Sequence, residues 1–199
     1  MNQLVNQSFE CVKYMSAKWK IDESHALKHS IEVYKFASNI YDSEVKYNPY
    51  LKEQKHIINA SAILHDMCDK KYMKEQEGID DIREYMKGFV TETDMEVILQ
   101  IITNMSYSKV KQVGYPDLNQ YMLAFHIVRE ADLLAAYDID RCVIFGMMVD
   151  GLNYGDAVIR SVILFKNRVL NYIHDGLFVT QYSIDKSVEL HMDAIQKLY

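Results

Sequence analysis

His65 and Asp66 are adjacent at the end of an apolar run, ASAILHD. An imidazole and a carboxylate placed straight after Ala-Ile-Leu are costly if either is buried without a partner. A cation would satisfy both at once. His29 reads onto the inward side of an earlier helix, in line with Val33 and Ala37 at steps of four. Asp132 lies in HIVREADLLAAY, flanked by Val128, Ala131, Ala135 and Ala136. An aspartate on so apolar a helix needs a partner, and a cation is one candidate. Two imidazoles and two carboxylates form a mixed N/O set. Such a set suits Mn, Fe, Co, Ni or Zn better than Ca, which takes an all-oxygen shell. On a six-coordinate ion it leaves room for a water and a phosphate oxygen, which hydrolysis requires. Taken singly, each residue has a plain structural reading: His29 as a packing histidine, Asp132 as a helix-to-helix hydrogen bonder, the His-Asp pair as chance. Their order and context together point to metal.

These residues need rigid elements to position them. Only two prolines, Pro49 and Pro116, and seven glycines occur in 199 residues. That scarcity favours long helices over a turn-rich β fold. Apolar residues recur at three and four: Ile31, Tyr34, Ala37 and Ile40/Tyr41; Ile57, Ala60 and Leu64; Met95, Ile98 and Ile102; Tyr121, Ala124, Ile127/Val128, Ala131 and Ala135. Asp22 or Ser24 is expected to cap the helix carrying His29, and Thr93 with Glu96 has capping-box spacing. Pro116 could begin a helix, while Gly88, Gly151 and Gly176 are stop signals. The pattern predicts an all-α chain with helices over about 3–20, 24–43, 50–67, 78–87, 94–105, 117–137, 139–150, 154–174 and 180–198. The stretch from Tyr107 to Asp117 is expected as a long loop, and Cys68 to Gly78 as irregular. No repeat, low-complexity tract or Gly/Ser linker divides the chain.

Composition narrows the function classes. The chain is 49% hydrophobic and 25% charged, ordinary for a globular protein, and long enough to bury a core without disulfides. Three scattered cysteines, Cys11, Cys68 and Cys142, do not form a secreted disulfide framework and favour a reducing compartment. A net charge of −6 argues against nucleic-acid binding through a broad basic surface. It leaves open a small phosphorylated substrate served by local lysines. No apolar run approaches the roughly 20 residues of a membrane span, and the N-terminus lacks a signal-peptide core. A cytoplasmic protein with no membrane partner is the expectation. Motifs for P-loops, dinucleotide folds, structural zinc and serine hydrolases are absent.

The H…HD…D order resembles the HD-domain phosphohydrolase superfamily. SHALKHSIEVYKFA looks like its first ligand helix, ASAILHDMCDKKY its HD element, and HIVREADLLAAYD the helix with the last aspartate. ITNMSYSK is similar to a segment found in a bacterial subgroup of nucleoside triphosphate pyrophosphohydrolases and uncharacterised proteins. The likeness covers roughly residues 20–150. It implies one all-helical HD domain over 1–199, with C-terminal helices over 151–199 as an extension. It implies His29, His65, Asp66 and Asp132 as ligands of one divalent ion, manganese favoured. Asp69 matches an acid that orients or deprotonates the attacking water. His25 matches the first histidine of the H-x-x-x-H pair, and could contact phosphate or leaving group. Lys70 and Lys71, closest to the HD pair, would stabilise transferred charge, ahead of Lys74, Lys109 and Lys111. The chain departs from the family at Glu130, where Asp is frequent, at Leu133, where Arg is frequent, and at His126, where Lys is common. The implied activity is cleavage of a nucleotide, a nucleoside triphosphate giving monophosphate and pyrophosphate. A 5′-nucleotidase and a catalytically silent nucleotide-binding or oligomerisation module are the alternatives.

Overall fold

The helix that leads into His65 and Asp66 is α3 (Leu51–Leu64), and every residue from Ile57 to Leu64 is buried. Asn59, Ala60, Ser61 and Ala62 give it a thin waist, so other helices can approach from all sides. It packs on α1 (Asn2–Trp19), α2 (Leu27–Glu44), α5 (Glu92–Asn104) and α7 (Met122–Ala135). The computed structural model describes residues 2–198. Its remaining helices are α4 (Glu75–Met86), α6 (Tyr107–Val113), α8 (Ile139–Met148), α9 (Tyr154–Asn167) and α10 (Gln181–Leu198). Two short 3-10 turns, Asn119–Tyr121 and Val169–Asn171, complete the helical elements. There is no strand among the described residues; one isolated bridge joins Lys87 and Val90. No described helix is long and apolar enough to cross a membrane.

The buried core runs beyond residues 20–150 on both sides. Cys11, Val12 and Met15 enter it from α1, and Phe165, Val169 and Tyr172 from the C-terminal part. The anchor of α10 is a buried carboxyl group. Glu130 on α7 is fully buried, and its carboxylate accepts hydrogen bonds from the Val179 N–H (2.9 Å), the Thr180 N–H (3.2 Å) and the Thr180 hydroxyl (2.7 Å). A carboxylate from another helix thus satisfies donors at the start of α10. This acidic side chain holds two helices together.

Several local expectations are corrected. Residues 107–113 form α6, not a loop, because Ser106 caps them by accepting from the Lys109 N–H (3.3 Å). Ten α-helices therefore stand among the described residues where nine were expected. Neither Asp22 nor Ser24 caps α2: its N-cap is Ala26, and Asp22 instead accepts from the Ser24 N–H (2.9 Å). Thr91, not Thr93, caps α5, accepting from the Asp94 N–H (3.1 Å). The chain starts α7 at Met122, after a 3-10 turn, rather than near Pro116. Ile31 faces outward; the buried face of α2 carries His29, Ser30, Val33, Ala37, Ile40 and Tyr41. Helix α4 begins at Glu75, which puts Gly78 inside it.

Gly78 sets how close α4 comes to the loop that follows the HD pair. A Cβ there would stand 2.7 Å from Met73 Sδ and 2.8 Å from Cys68 Cα. Alanine in a helix interior normally stabilises by about 1 kcal/mol over glycine. Overpacking against backbone costs about 1–3 kcal/mol. Gly78→Ala should therefore lower the denaturant midpoint; a raised midpoint in urea unfolding would remove this contact from the account.

Candidate metal centre

Helix α3 stops at Leu64 and His65 takes the C-cap position. The two residues after the helix therefore emerge at the edge of the core, where α2 and α7 also pass. His65 is fixed by its own helix: Nδ1–H donates to the Ala62 carbonyl at 2.9 Å. That leaves the Nε2 lone pair facing inward, the arrangement found in metal-binding histidines. His29 from α2 brings its Nε2 to 3.0 Å from His65 Nε2. Asp66 Oδ2 lies 3.4 Å from His29 Nε2 and 3.3 Å from His65 Nε2. Asp132 Oδ1, from α7, lies 3.3 Å and 3.7 Å from the same two nitrogens.

The separations among His29, His65 and Asp66 match a common centre. Donors on adjacent positions of an ion with bonds of about 2.1 Å stand about 3.0 Å apart in octahedral and about 3.4 Å in tetrahedral geometry. His29, His65 and Asp66 form a closed group with every donor within 4.8 Å of the others. Asp132 falls outside that stricter group but reaches both imidazoles, as a fourth ligand on the cleft side would. Both histidines are buried, while Asp132 keeps 25% of its side-chain surface open. Asp66 Oδ2 and His29 Nδ1 are buried with no hydrogen-bond partner in the protein. A buried carboxylate oxygen without a partner is expensive, and a cation is the partner this donor set fits.

Charge sharing inside the cluster points the same way. Burial pushes His29 down to about 4, helped by Arg141. Burial would lower His65 too, but the Asp66 and Asp132 carboxylates outweigh it and raise it to about 9. Burial alone would raise both Asp66 and Asp132, yet the histidines beside them hold both carboxyls below the usual range. With no ion, the proton on His65 supplies the positive charge the carboxylates require.

Three of the other residues expected in the site meet beside it. Lys71 Nζ donates to His25 Nε2 at 3.0 Å and stands 3.2 Å from Asp69 Oδ2. Because an ammonium only donates, His25 Nε2 is the acceptor and Nδ1 carries the proton, which goes to Ser24 Oγ at 2.6 Å. Burial lowers His25 to about 3, so it stays neutral in this chain. Tyr72 lies against it and donates to Asp22. Asp69 Oδ1 accepts from the Lys71 N–H at 2.9 Å, and Asp69 shares a cleft of about 510 Å³ with His65, Asp66 and Asp132. Lys70 does not join them. It lies at the rim, with 72% of its side chain exposed, and pairs with Glu75 at 3.3 Å. Lys109 reaches the cleft but donates to the Thr103 carbonyl (2.8 Å), Lys111 sits by the Tyr107 hydroxyl (3.1 Å), and Lys74 pairs with Glu77 (3.6 Å).

Arg141 on α8 was missed from the sequence. Its Nε donates to the Ser24 carbonyl at 2.5 Å, and its Nη atoms stand 3.9 Å from Asp66 Oδ2 and from Asp132 Oδ1. It places a cation from α8 beside both carboxylates. Nothing in its local sequence, DIDRCVIF, distinguishes it from a surface arginine. No protein-family model, curated protein or solved structure matches this chain.

An ion that binds only the folded state at about 100 times its dissociation constant should stabilise the protein by about 2.7 kcal/mol. Manganese should accordingly raise the melting temperature of the wild type and leave that of His65→Ala unchanged, helicity being matched by circular dichroism. Equal shifts in both proteins, or no shift in the wild type, would count against this ligand set.

Proposed function

We propose that this protein is a metal-dependent phosphohydrolase of the HD-domain type. It acts on a nucleotide, cleaving a nucleoside triphosphate to monophosphate and pyrophosphate. The observation that carries the reading is the convergence of His29, His65, Asp66 and Asp132 from three parts of the chain onto one buried point that opens into a cleft. The choice of substrate rests on the family resemblance alone.

His29, His65, Asp66 and Asp132 would hold a divalent ion, which when bound would supply a Lewis acid for a phosphoryl oxygen and acidify water. The chain's own residues do the rest. Asp69 stands in the same cleft with Oδ1 pinned by the Lys71 N–H, so its carboxylate is oriented before substrate arrives. It takes the proton as the water oxygen bonds to the α-phosphorus. The bond from that phosphorus to the bridging oxygen breaks, and pyrophosphate leaves with the electron pair. The Lys71 ammonium offsets the charge that builds on the departing oxygen. His25 holds Lys71 in place through their 3.0 Å contact, which makes it a positioning residue.

Asp69→Ala should bind manganese as the wild type does, by calorimetry. It should lose about 10²- to 10⁴-fold in turnover of nucleoside triphosphates, the range for a general base. Separation of the products distinguishes pyrophosphate release from phosphate release. Undiminished turnover in this variant would remove Asp69 from the mechanism, and metal binding with no turnover of any nucleotide in the wild type would contradict the hydrolase reading.

A further inference from the structure

A second, smaller chamber of about 210 Å³ adjoins the metal cleft, and the two share Lys71 and Arg168 in their walls. Arg141 and Arg160 add to its lining, so four cations face one space whose lining holds no carboxylate. The arginines are fixed in place by their backs. Arg168 Nε donates to the Tyr172 hydroxyl at 2.9 Å, and its guanidinium lies 4.5 Å from the centre of the Tyr107 ring. It forms no ion pair with a carboxylate among the described residues. Arg160 pairs with Asp150, its Nε 2.6 Å from a carboxylate oxygen, and lies 5.2 Å from the Phe145 ring centre. Arg141 is held by the Ser24 carbonyl.

Lys71, Arg141 and Arg160 each have a carboxylate beside them outside the chamber lining: Asp69 at 3.2 Å, Asp66 and Asp132 at 3.9 Å, and Asp150 at 2.6 Å, respectively. Arg168 has none among the described residues, so an anion entering the chamber meets a guanidinium whose charge no carboxylate balances. Arginine, with its planar fork of donors, is suited to the paired oxygens of phosphate. The chamber is smaller than the ~300–1,000 Å³ of pockets that take drug-sized ligands. That favours a compact, highly charged group over a base and sugar. Its position matters as much as its charge. Lys71 stands at the junction, so an anion in the chamber and a phosphoryl group beside Asp66 and Asp132 would be neighbours.

We propose that this chamber is an anion subsite for a chain of linked phosphates. Arg160 and Arg168 bind the phosphates beyond the one at the metal centre, and Lys71 spans the bridge between them. The site is thereby built for a substrate with two or more linked phosphates and against a monophosphate ester. The placement of the scissile phosphate rests on the hydrolase reading above; the binding of a phosphate chain by the arginines does not.

The test is calorimetric titration of metal-stripped, chelator-free protein with inorganic tripolyphosphate and with orthophosphate. Tripolyphosphate should bind the wild type at least about tenfold more tightly than orthophosphate, and Arg168→Ala and Arg160→Gln should each weaken it about tenfold. Arg83→Ala, which breaks pairs with Glu92 and Glu96 away from the chamber, should bind as the wild type does. Circular dichroism spectra that superimpose show that the variants are folded. Should Arg168→Ala not fold, Arg160→Gln alone decides. No binding by the wild type, or equal affinity in all folded variants, overturns the proposal. Since no metal is present, the two readings fail separately. A protein that binds tripolyphosphate but turns over no nucleotide keeps this subsite and loses the hydrolase. One that turns over nucleotide but does not bind tripolyphosphate does the reverse.

Discussion

Two imidazoles 3.0 Å apart, each with the Asp66 and Asp132 carboxylates within 3.7 Å, in a pocket largely closed to water, share a charge that must be balanced. The cluster has more negative character than its surroundings can solvate, and so His65 holds a proton far above its ordinary range while Asp66 and Asp132 refuse theirs. A divalent ion held by His29, His65 and Asp66 would meet the same demand, because it could contact several donors at once where a proton bonds to one or two. Much of the fold can be understood as the means of holding these side chains at that spacing.

The burial of α3 is the first of those means. Its small waist lets α1, α2, α5 and α7 close around it, and its end at Leu64 delivers His65 and Asp66 to the place where α2 and α7 cross. Gly78 lets α4 press against Cys68, which holds the loop carrying Asp69 and Lys71 near the ligands. Glu130, two residues before Asp132, ties α7 to the start of α10 through a buried carboxylate. The helix that presents one ligand is thereby braced at the position beside it. The cations come from elsewhere: Arg141, Arg160 and Arg168 belong to α8, α9 and the turn that follows, so the C-terminal helices bring positive charge to a site whose ligands lie on the core.

What was legible in the sequence, and what was not, follows from how far apart the determinants lie. The helical class was readable because apolar spacing is local. His29, His65, Asp66 and Asp132 stood out as candidates because each sits in an apolar context that makes its polarity anomalous, and the fold brings His29, His65 and Asp66 into one group. Lys70 and Lys71 could not be told apart, since both follow the HD pair and only the turn at Asp69 sends one to His25 and the other to the rim. Arg141, Arg160 and Arg168 were invisible because arginine on an amphipathic helix is ordinary, and their meeting depends on how α8 and α9 pack. Helix α6 was missed because Gly114 and Pro116 dominated a stretch whose Ser106 cap was the stronger local signal. Asp22 looked like a helix cap by position, but Tyr72 and the Ser24 N–H, one distant in sequence, claim its carboxylate.

Two histidines and two aspartates would together hold one cation. Pulsed electron paramagnetic resonance of the manganese-loaded protein tests it most directly, with metal counted per chain and the histidines labelled with nitrogen-15. One manganese per chain is expected, coupled to two imidazole nitrogens, the number of coupled nitrogens falling to one in His29→Ala. Manganese that binds without nitrogen coupling, or coupling unchanged in that variant, would contradict it.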